Sequence, residues 1–333
     1  MDRGEKMIFK CENCGGNVVY NPEKKVMFCP YCDSEESQNE IDQENCTCCV
    51  NCGAEIEVNE FTSATKCDHC DTYVIMDNRI SGIYKPELVL PFTISKDKAR
   101  ELLKNRFKNA IIAPSDFLSK KTLENFKGVY VPYWLYDFNT KVNYRGIGVK
   151  VKHWTSGGYE YTETSKYMVH RNFDINYEKI PVDASNDMDD ITMNEVEPFE
   201  YNDLIDFEPK FLSGFYSEIY NKSAEELQIL AQKKANIYTN EWLASTTNEY
   251  TRVENEQKEI ENIESKNSFA LLPVWIYTYR YAGKNYTYYV NGQTGESIGK
   301  NPISVSRAFL CTLLVFGLVF LALLSIVSFL EVL

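Results

Sequence analysis

The residues that could do chemistry are eight cysteines arranged as four C-x2-C pairs near the N-terminus. They are Cys11, Cys14, Cys29, Cys32, Cys49, Cys52, Cys67 and Cys70. Each of the last four follows its counterpart among the first four by 38 positions. A C-x2-C pair turns the backbone so that two thiolates face one ion, and two pairs complete a tetrahedral shell. The spacing predicts two tandem zinc ribbons, each with one structural Zn²⁺ held by four thiolates.

The same pairs could instead close as disulfides, which persist in oxidising compartments. No N-terminal signal peptide precedes the cysteines, so we expect a reducing compartment and bound zinc. Cys46 and Cys48 complicate the second unit, because Cys46-x2-Cys49 is also a legal pair. The 38-residue register selects Cys49 and Cys52, and it predicts that Cys46 and Cys48 are spare thiols. His69, inside the last pair, is then a bystander.

The predicted clusters are structural rather than catalytic. A shell of four thiolates has no open position for water or a substrate. The chain has no HExxH, GxSxG or P-loop motif, and "RGIGVK" has only the first two glycines of a dinucleotide loop. His153 and His170 stand without a partner motif. We therefore expect no enzyme, no catalytic residue and no small-molecule substrate.

The charge of the chain argues against nucleic acid as its partner. The 48 acidic and 35 basic residues give a net charge of −13. Residues 1–80 hold 16 acidic and 7 basic residues, a net charge of −9, and each zinc with four thiolates adds a formal −2. Nucleic-acid affinity depends largely on lysine and arginine contacts to phosphates. Many zinc ribbons bind nucleic acid or polymerase, so that class remains the alternative, but we expect a protein partner.

A second signal lies at the C-terminal end. From Ala308 to Leu330 the sequence has 23 residues without a charge. As a helix this segment would be ~34 Å long, against a hydrocarbon core of ~30 Å. Lys300 and Arg307 precede it, and three residues follow it. The positive-inside rule then predicts a single-pass protein of the cell membrane whose N-terminal domains face the cytoplasm.

The rest of the chain divides by composition. Residues 1–35 and 46–80 carry the two ribbons, and the acidic segment 36–45 predicts a flexible linker between them. Residues 81–300 are expected to form an aromatic-rich α+β cytosolic domain, followed by a transmembrane helix over 308–330. The acidic stretch at about 183–208 lacks the spacing of a calcium loop and is interpreted as a mobile insertion.

Two aromatic stretches within the predicted α+β domain resemble each other. "VYVPYWLYDF" (Val129 to Phe138) and "LLPVWIYTY" (Leu271 to Tyr279) align at an offset of 141 residues. Their period of two predicts strands with one face on a core. A helix is expected before each stretch, the first beginning near Ser95 and the second at the capping box Ser223-Ala-Glu-Glu226.

Turn residues predict how the neighbouring segments fold back. After the second stretch, turns at Gly283 and at Asn291-Gly292 predict a hairpin that closes on itself. Apolar residues between the cysteine pairs predict a short hairpin in each ribbon, within 18–28 and 56–61. The repeated order of helix and aromatic strand predicts an internal duplication, and the alternative is coincidence between two strands.

The whole architecture resembles a known family. Two N-terminal ribbons, the strands "VPYWLYDF" and "LPVWIY", the hairpin "NGQTGE" and a transmembrane helix are similar to bacterial zinc-ribbon membrane proteins of the YdjG type. These are often labelled transcription-factor-IIB-type zinc ribbon proteins. The resemblance implies association with phage shock protein A and with a zinc-ribbon partner called YdjI at stressed membranes. It assigns the zinc ligands to the same eight cysteines and implies no catalytic residue.

Taken together, the sequence predicts a membrane-anchored, cytoplasm-facing zinc-ribbon adaptor that recruits protein partners in the envelope-stress response. Two adjacent contact surfaces on one anchored chain would gain avidity through effective concentration. The alternative is a membrane-tethered regulator that binds nucleic acid or polymerase through its ribbons. A membrane-bound hydrolase is a more distant third, because a nucleophile motif and an open metal site are missing.

Overall fold

The computed structural model describes residues 6–43, 48–56, 58–186 and 190–332. Within these ranges the chain forms fourteen β-strands and four α-helices. The strands are β1 (Lys6–Cys11), β2 (Val19–Asn21), β3 (Val26–Phe28), β4 (Gln38–Gln43), β5 (Thr62–Lys66), β6 (Tyr73–Met76), β7 (Leu88–Val89), β8 (Lys127–Ser156), β9 (Tyr159–Asp183), β10 (Ile205–Asp206), β11 (Tyr216–Glu218), β12 (Arg252–Tyr281), β13 (Lys284–Asn291) and β14 (Ser297–Ile298). The helices are α1 (Lys96–Phe107), α2 (Asp190–Val196), α3 (Ala224–Thr247) and α4 (Val305–Val332).

One sheet connects the cysteine-bearing region with the rest of the chain. Its strand order is β10-β7-β12-β8-β11-β5-β6-β1-β4, with β9 paired to β8, β13 to β12, and β14 to β13. The strands β2 and β3 form a separate two-stranded sheet. Because β1, β4, β5 and β6 belong to the ribbon region, a continuous ladder of backbone hydrogen bonds runs from the ribbons into the aromatic body.

The two aromatic stretches lie side by side at the centre of this sheet. They belong to β8 and β12, which pair antiparallel with Val131 opposite Leu272. Leu272 is also the residue that aligns with Val131 at the offset of 141. The two stretches are therefore related by a local two-fold rotation through this pair. A duplicated unit would give this arrangement, and the duplication itself stays a prediction.

Both strands continue far beyond the predicted stretches, and a helix covers one face of the extension. β8 and β12 each have 30 residues, and β9 has 25. On α3, Leu227, Ala231 and Ala235 pack against Tyr136 and Phe138 of β8. The small alanines let the helix approach the sheet closely, and the buried aromatic rings fill the space between the two.

The two predicted helix starts are confirmed. Ser95 caps α1, and its side chain accepts a hydrogen bond from the N–H of Lys98. Ser223 and Glu226 form the predicted capping box at the start of α3, each side chain accepting from the other residue's backbone N–H. Such caps satisfy amide groups that the first helical turn leaves without partners.

Aromatic rings form the centre of the body. Phe92 stacks on Phe215 with ring centroids 4.1 Å apart. It also meets Tyr130 and Trp275 edge-on, each at 5.0 Å. Aromatic pairs in these geometries contribute about 0.5 to 1.5 kcal/mol beyond the burial of their area. These rings fill the space between the sheet and its flanking segments.

The hairpin predicted after the second stretch is confirmed. Tyr281 pairs with Lys284 across a two-residue turn, in which Ala282 and Gly283 have φ angles of 50° and 76°. At the other end of β13, the buried Asn291 donates two hydrogen bonds to the carbonyl groups of Val196 and Pro198, at 3.0 and 3.2 Å. This asparagine holds the closing turn against the segment that follows α2.

The prediction of a flexible acidic linker at 36–45 is wrong for the residues that form β4. This strand pairs with β1 along its whole length, from Lys6 opposite Gln43 to Cys11 opposite Gln38. β4 is the edge of the sheet, where charged residues are common because they discourage pairing with other chains. An acidic, apolar-poor composition therefore marks an edge strand here, and residues 44 and 45 lie outside the described part of the chain.

The prediction of a mobile insertion at about 183–208 is also wrong for its described residues. Met193, Val196, Phe199 and Phe207 are buried, although acidic residues surround them in the sequence. α2 and a short pairing between β10 and β7 complete the segment. Four apolar side chains are enough to fix it on the body, and residues 187–189 lie outside the described ranges.

A largely buried ion pair fastens this segment to α3. Lys234 Nζ lies 2.9 Å from Glu197 Oε1, and the two side chains are only 16% and 12% exposed. Lys234 Nζ also donates to the carbonyl oxygen of Pro181. Burial raises the pKa of Glu197, whereas the charge of Lys234 acts in the opposite direction and favours the carboxylate.

We predict that Lys234→Met lowers the free energy of unfolding by about 3 to 5 kcal/mol, because it leaves the Glu197 carboxylate buried without a counter-charge. Adding Glu197→Gln should recover most of that loss. Urea denaturation followed by tryptophan fluorescence would measure both effects. If Lys234→Met were as stable as the parent protein, the ion pair between Lys234 and Glu197 would not stabilise the fold.

Candidate metal centres

The first four cysteines of the predicted set converge in ribbon 1. Cys11 ends β1 and Cys29 directly follows β3, which forms the predicted short hairpin with β2. Cys11 Sγ lies 3.6 Å from Cys32 Sγ, and Cys14 Sγ lies 3.5 Å from Cys29 Sγ. All four sulfur atoms lie within 4.8 Å of one another. Gly15, with a φ of 71°, turns the chain after the first pair.

Ribbon 2 brings the second four cysteines together, but its strands are placed differently from those of ribbon 1. Cys49 Sγ lies 3.6 Å from Cys70 Sγ, and Cys52 Sγ lies 3.8 Å from Cys67 Sγ. β5 ends just before Cys67 and β6 begins after Cys70, so this strand pair flanks the second C-x2-C pair of ribbon 2. The hairpin predicted within 56–61 is wrong, since the described residues of that range form no strand.

The sulfur positions fit one metal ion in each cluster. A tetrahedron with metal–sulfur distances of ~2.3 Å has edges of about 3.8 Å. The shortest sulfur pairs in the two clusters, at 3.5 to 3.8 Å, match that edge. A disulfide would need a separation of ~2.05 Å. All eight cysteines are free, which rules out the disulfide alternative for these pairs.

Each cluster has a second layer of polar side chains that the sequence analysis missed. Asn13 donates to Ser34 Oγ at 2.9 Å, and Ser34 Oγ lies 2.8 Å from Cys32 Sγ. Asn51 donates to Thr72 Oγ1 at 3.0 Å, and Thr72 Oγ1 lies 3.2 Å from Cys70 Sγ. Both pairs obey the 38-residue register of the cysteines, so extending that register to polar residues would have found them. Such groups orient metal ligands and tune them.

These contacts favour thiolates at some positions and not at others. Burial opposes ionisation of Cys11, but the N–H groups of Cys14 and Asn13 and the Ser34 hydroxyl outweigh it, and the pKa of Cys11 falls to about 6. At Cys14 the N–H of Gly16 favours the thiolate, yet the sulfurs of Cys32 and Cys29 outweigh it and raise its pKa to about 12. Neighbouring thiols thus resist full ionisation until a cation lies between them.

Each cluster has an inner and an outer side. The first cysteine of every C-x2-C pair is buried, whereas the second is exposed, or intermediate in the case of Cys70. Behind ribbon 2, Ile8, Val74 and Met76 pack against Cys49 and Cys67. The inner thiols of ribbon 2 therefore belong to a small apolar core, and those of ribbon 1, Cys11 and Cys29, belong to the large core shared with the body. The outer thiols lie nearer the protein surface.

The two ribbons are joined to each other and to the body. Lys10 Nζ donates to Asn17 Oδ1 of ribbon 1 at 2.6 Å and to Asn51 Oδ1 of ribbon 2 at 2.7 Å. Ser213 of the body donates from its hydroxyl to the Val18 carbonyl at 2.6 Å. β5 pairs with β11, which in turn runs parallel to β8. The cysteine clusters are therefore held in place by the main sheet and are not flexibly linked to it.

The other predicted candidates take no part in a cluster. Cys48 is disulfide-bonded, so its prediction as a spare thiol is wrong, and Cys46 lies outside the described residues. His69 is exposed within its knuckle and does not belong to the sulfur group. His153 and His170 are exposed on β8 and β9, far along the sheet from the cysteines.

The apolar C-terminal segment forms a helix that starts on the body. Ser304 donates its backbone N–H to the Ile112 carbonyl at 2.9 Å, and Arg307 donates to the Ala113 carbonyl at 2.8 Å. From Val305 to Ile326 the helix has a mean hydropathy of 2.8 in its most apolar window, none of which is buried. These 22 residues are long and apolar enough to cross a membrane. α4 is therefore a candidate membrane span.

Comparison with known proteins gave one informative match. The chain is 35% identical over 307 residues to a Bacillus subtilis (strain 168) protein named uncharacterized protein YdjG, covering 89% of this chain and 90% of that protein. No protein-family model matches the chain. No solved structure matches it either.

We predict that Cys49→Ser combined with Cys52→Ser lowers the metal content from two ions per chain to one, because a hydroxyl is a poor substitute for a thiolate ligand. Elemental analysis of the purified full chain would measure the ratio. Cys311→Ser makes the same chemical change outside both clusters and should leave two ions bound. If the double variant kept two ions, ribbon 2 would not be a metal centre.

Proposed function

The chain belongs to the family of Bacillus subtilis YdjG, and from that premise we propose that it is a membrane-anchored, cytoplasm-facing adaptor that recruits protein partners. The observation that carries the proposal is the fusion of two closed four-thiolate clusters to a body whose last helix is free to enter a membrane. Each ribbon is a rigid contact surface held at a fixed place on an anchored chain.

Zinc is the metal that best suits both clusters. Tetrahedral sulfur sites hold Zn²⁺ or iron, and Zn²⁺ fits a purely structural role because it has no redox chemistry. We propose two Zn²⁺ ions, each bound by four thiolates with no open coordination position. A structural zinc site contributes about 10 to 16 kcal/mol, which is a large term for segments as small as these ribbons.

The membrane orientation follows from the charges next to α4. Lys300 precedes α4 and Arg307 lies in its first turn, at the start of the apolar span, and positively charged flanks stay on the cytoplasmic side. In that orientation both ribbons face the cytoplasm. We propose a single-pass topology with the sheet and its ribbons on the cytoplasmic side.

The proposed contact points are the exposed residues between the two cysteines of the second C-x2-C pair in each ribbon. Tyr31, between Cys29 and Cys32, is 67% exposed. His69 occupies the same place in ribbon 2 and is also exposed. Exposed tyrosines are frequent energetic centres of protein interfaces. By family resemblance, the expected partners are phage shock protein A and a YdjI-like protein, in the response to envelope stress.

The alternative, binding to nucleic acid or polymerase, has weaker support. Residues 1–80 carry a net charge of −9, which opposes contact with phosphates. Binding of that kind would weaken steeply between low and moderate salt, whereas an adaptor contact with a strong apolar component would not.

We predict that Cys49→Ser with Cys52→Ser removes a short set of protein partners while the chain still reaches the membrane, since α4 is unchanged. Native membranes would be extracted in mild detergent, and co-purifying proteins identified by mass spectrometry. Cys311→Ser is the matched control and should retain the partners. Tyr31→Ala should weaken recruitment with both metal ions still bound, which separates a lost contact from a lost fold.

Retention of the same partners by the double variant and by Tyr31→Ala would make the ribbons irrelevant to recruitment. Nuclease-sensitive recovery of polymerase or nucleic acid with the intact chain would favour the alternative function instead.

A further inference from the structure

A cavity of about 370 Å³ lies where both ribbons meet the aromatic body. Its wall includes Tyr20 of ribbon 1, Tyr73 of ribbon 2 and Trp275 of the body. Three parts of the chain that are distant in sequence therefore enclose one space. No residue predicted from the sequence as a metal ligand lines it.

Three lysines from separate elements line this cavity. Lys66 ends β5, Lys96 begins α1 and Lys127 begins β8. Glu124 is the one carboxylate in the described wall, so the lining has a positive charge. Such a concentration of lysines is unusual beside an N-terminal region whose net charge is −9.

Internal partners only partly neutralise these lysines. Lys66 forms an ion pair with Asp71 at 2.5 Å. Lys96 Nζ lies 3.5 Å from the Glu124 backbone oxygen, and Lys127 Nζ lies 5.0 Å from the centre of the Tyr216 ring. Among the described residues, neither Lys96 nor Lys127 forms an ion pair with a carboxylate. Two ammonium groups at the cavity thus make no direct ion pair, although the more distant carboxylates of Asp97 and Glu124 act on Lys96.

The surroundings of Lys96 disfavour its charged form when no anion is bound. Burial lowers the pKa of Lys96, and the nearby positive charges of Arg100 and Lys66 lower it further, against the opposing influence of Asp97 and Glu124. An anion in the cavity would reverse this effect, because it stabilises the charged ammonium form.

Aromatic side chains form another part of the cavity wall, and the Tyr216 ring lies next to Lys127. Tyr73 and Tyr216 pack edge to face with ring centroids 6.0 Å apart. Phe126 and Trp275 pack beside them with centroids 6.0 Å apart, and all four residues line the cavity. Aromatic walls of this kind accept flat rings by stacking or edge contacts.

We propose that this cavity binds a small molecule that carries both a phosphate group and a flat ring. The phosphate lies against Lys96 and Lys127, and the ring lies against the aromatic wall. This role goes beyond partner recruitment and differs from the sequence-based expectation of no small-molecule ligand. Both ribbons supply wall residues, so the binding site depends on the positions of both ribbons on the body.

Pyridoxal 5′-phosphate with sodium borohydride tests the proposal on the full chain in detergent, since this probe has a phosphate, a ring and an aldehyde. A neutral lysine amine attacks the aldehyde carbon, water leaves, and borohydride delivers hydride to the resulting imine carbon. Peptide mass spectrometry then identifies the modified lysine. We expect labelling at Lys96 or Lys127, and protection by adenosine 5′-monophosphate but much less by adenosine.

The control lysine is Lys98, which lies two residues further along α1 and forms an exposed pair with Glu101. It should be labelled weakly and without protection by the nucleotide. Lys127→Ala should weaken protection of Lys96 roughly tenfold, equivalent to about 1.4 kcal/mol. Labelling spread over exposed lysines including Lys98, unchanged by adenosine 5′-monophosphate, would overturn the proposal.

Discussion

Each of the two groups of four cysteines has its sulfur atoms within 4.8 Å of one another, close enough to hold one metal ion. A cation there would favour the thiolate form of sulfurs that repel one another when ionised. A metal ion in each group would stabilise the fold of the N-terminal part of the chain. The inner cysteines Cys49 and Cys67 are buried in a small apolar cluster, whereas Cys11 and Cys29 belong to the large core that ribbon 1 shares with the aromatic body. A metal ion in each group would fix Cys11, the last residue of β1, and also Cys67 and Cys70, which lie between β5 and β6. β1, β5 and β6 continue the sheet to β11 and the aromatic body.

Because both ribbons belong to one sheet, they cannot bind as two independent modules. Flexibly linked modules would gain avidity because each could reach a partner separately, whereas these ribbons form one surface with a fixed spacing. Lys10 bridges the two ribbons, and Ser213 holds ribbon 1 to the body. The body in turn contacts the first turn of α4 through Ile112 and Ala113. Metal centres, cavity and candidate membrane span therefore belong to one connected framework.

Sequence reasoning identified the features that depend on local spacing. The two groups of four cysteines, the two helix caps and the Gly283 turn were predictable because each needs particular residue types at short separations. The failures were long-range. Nothing in the polar sequence of β4 identifies β1 as its partner, and only the three-dimensional structure pairs Thr62 and Ala64 with β11. The buried anchors of the acidic segment, such as Met193 and Phe199, were hidden by the charges around them.

Hydrogen exchange of the full chain, before and after metal removal by a chelator, tests the central claim most directly. If the metal centres and the body form one framework, metal removal should increase exchange in both ribbons and also in β4 and β11. The body strands β8 and β12 should keep their protection where they pair with each other. Loss of protection confined to the cysteine knuckles, with β4 and β11 unchanged, would contradict this account.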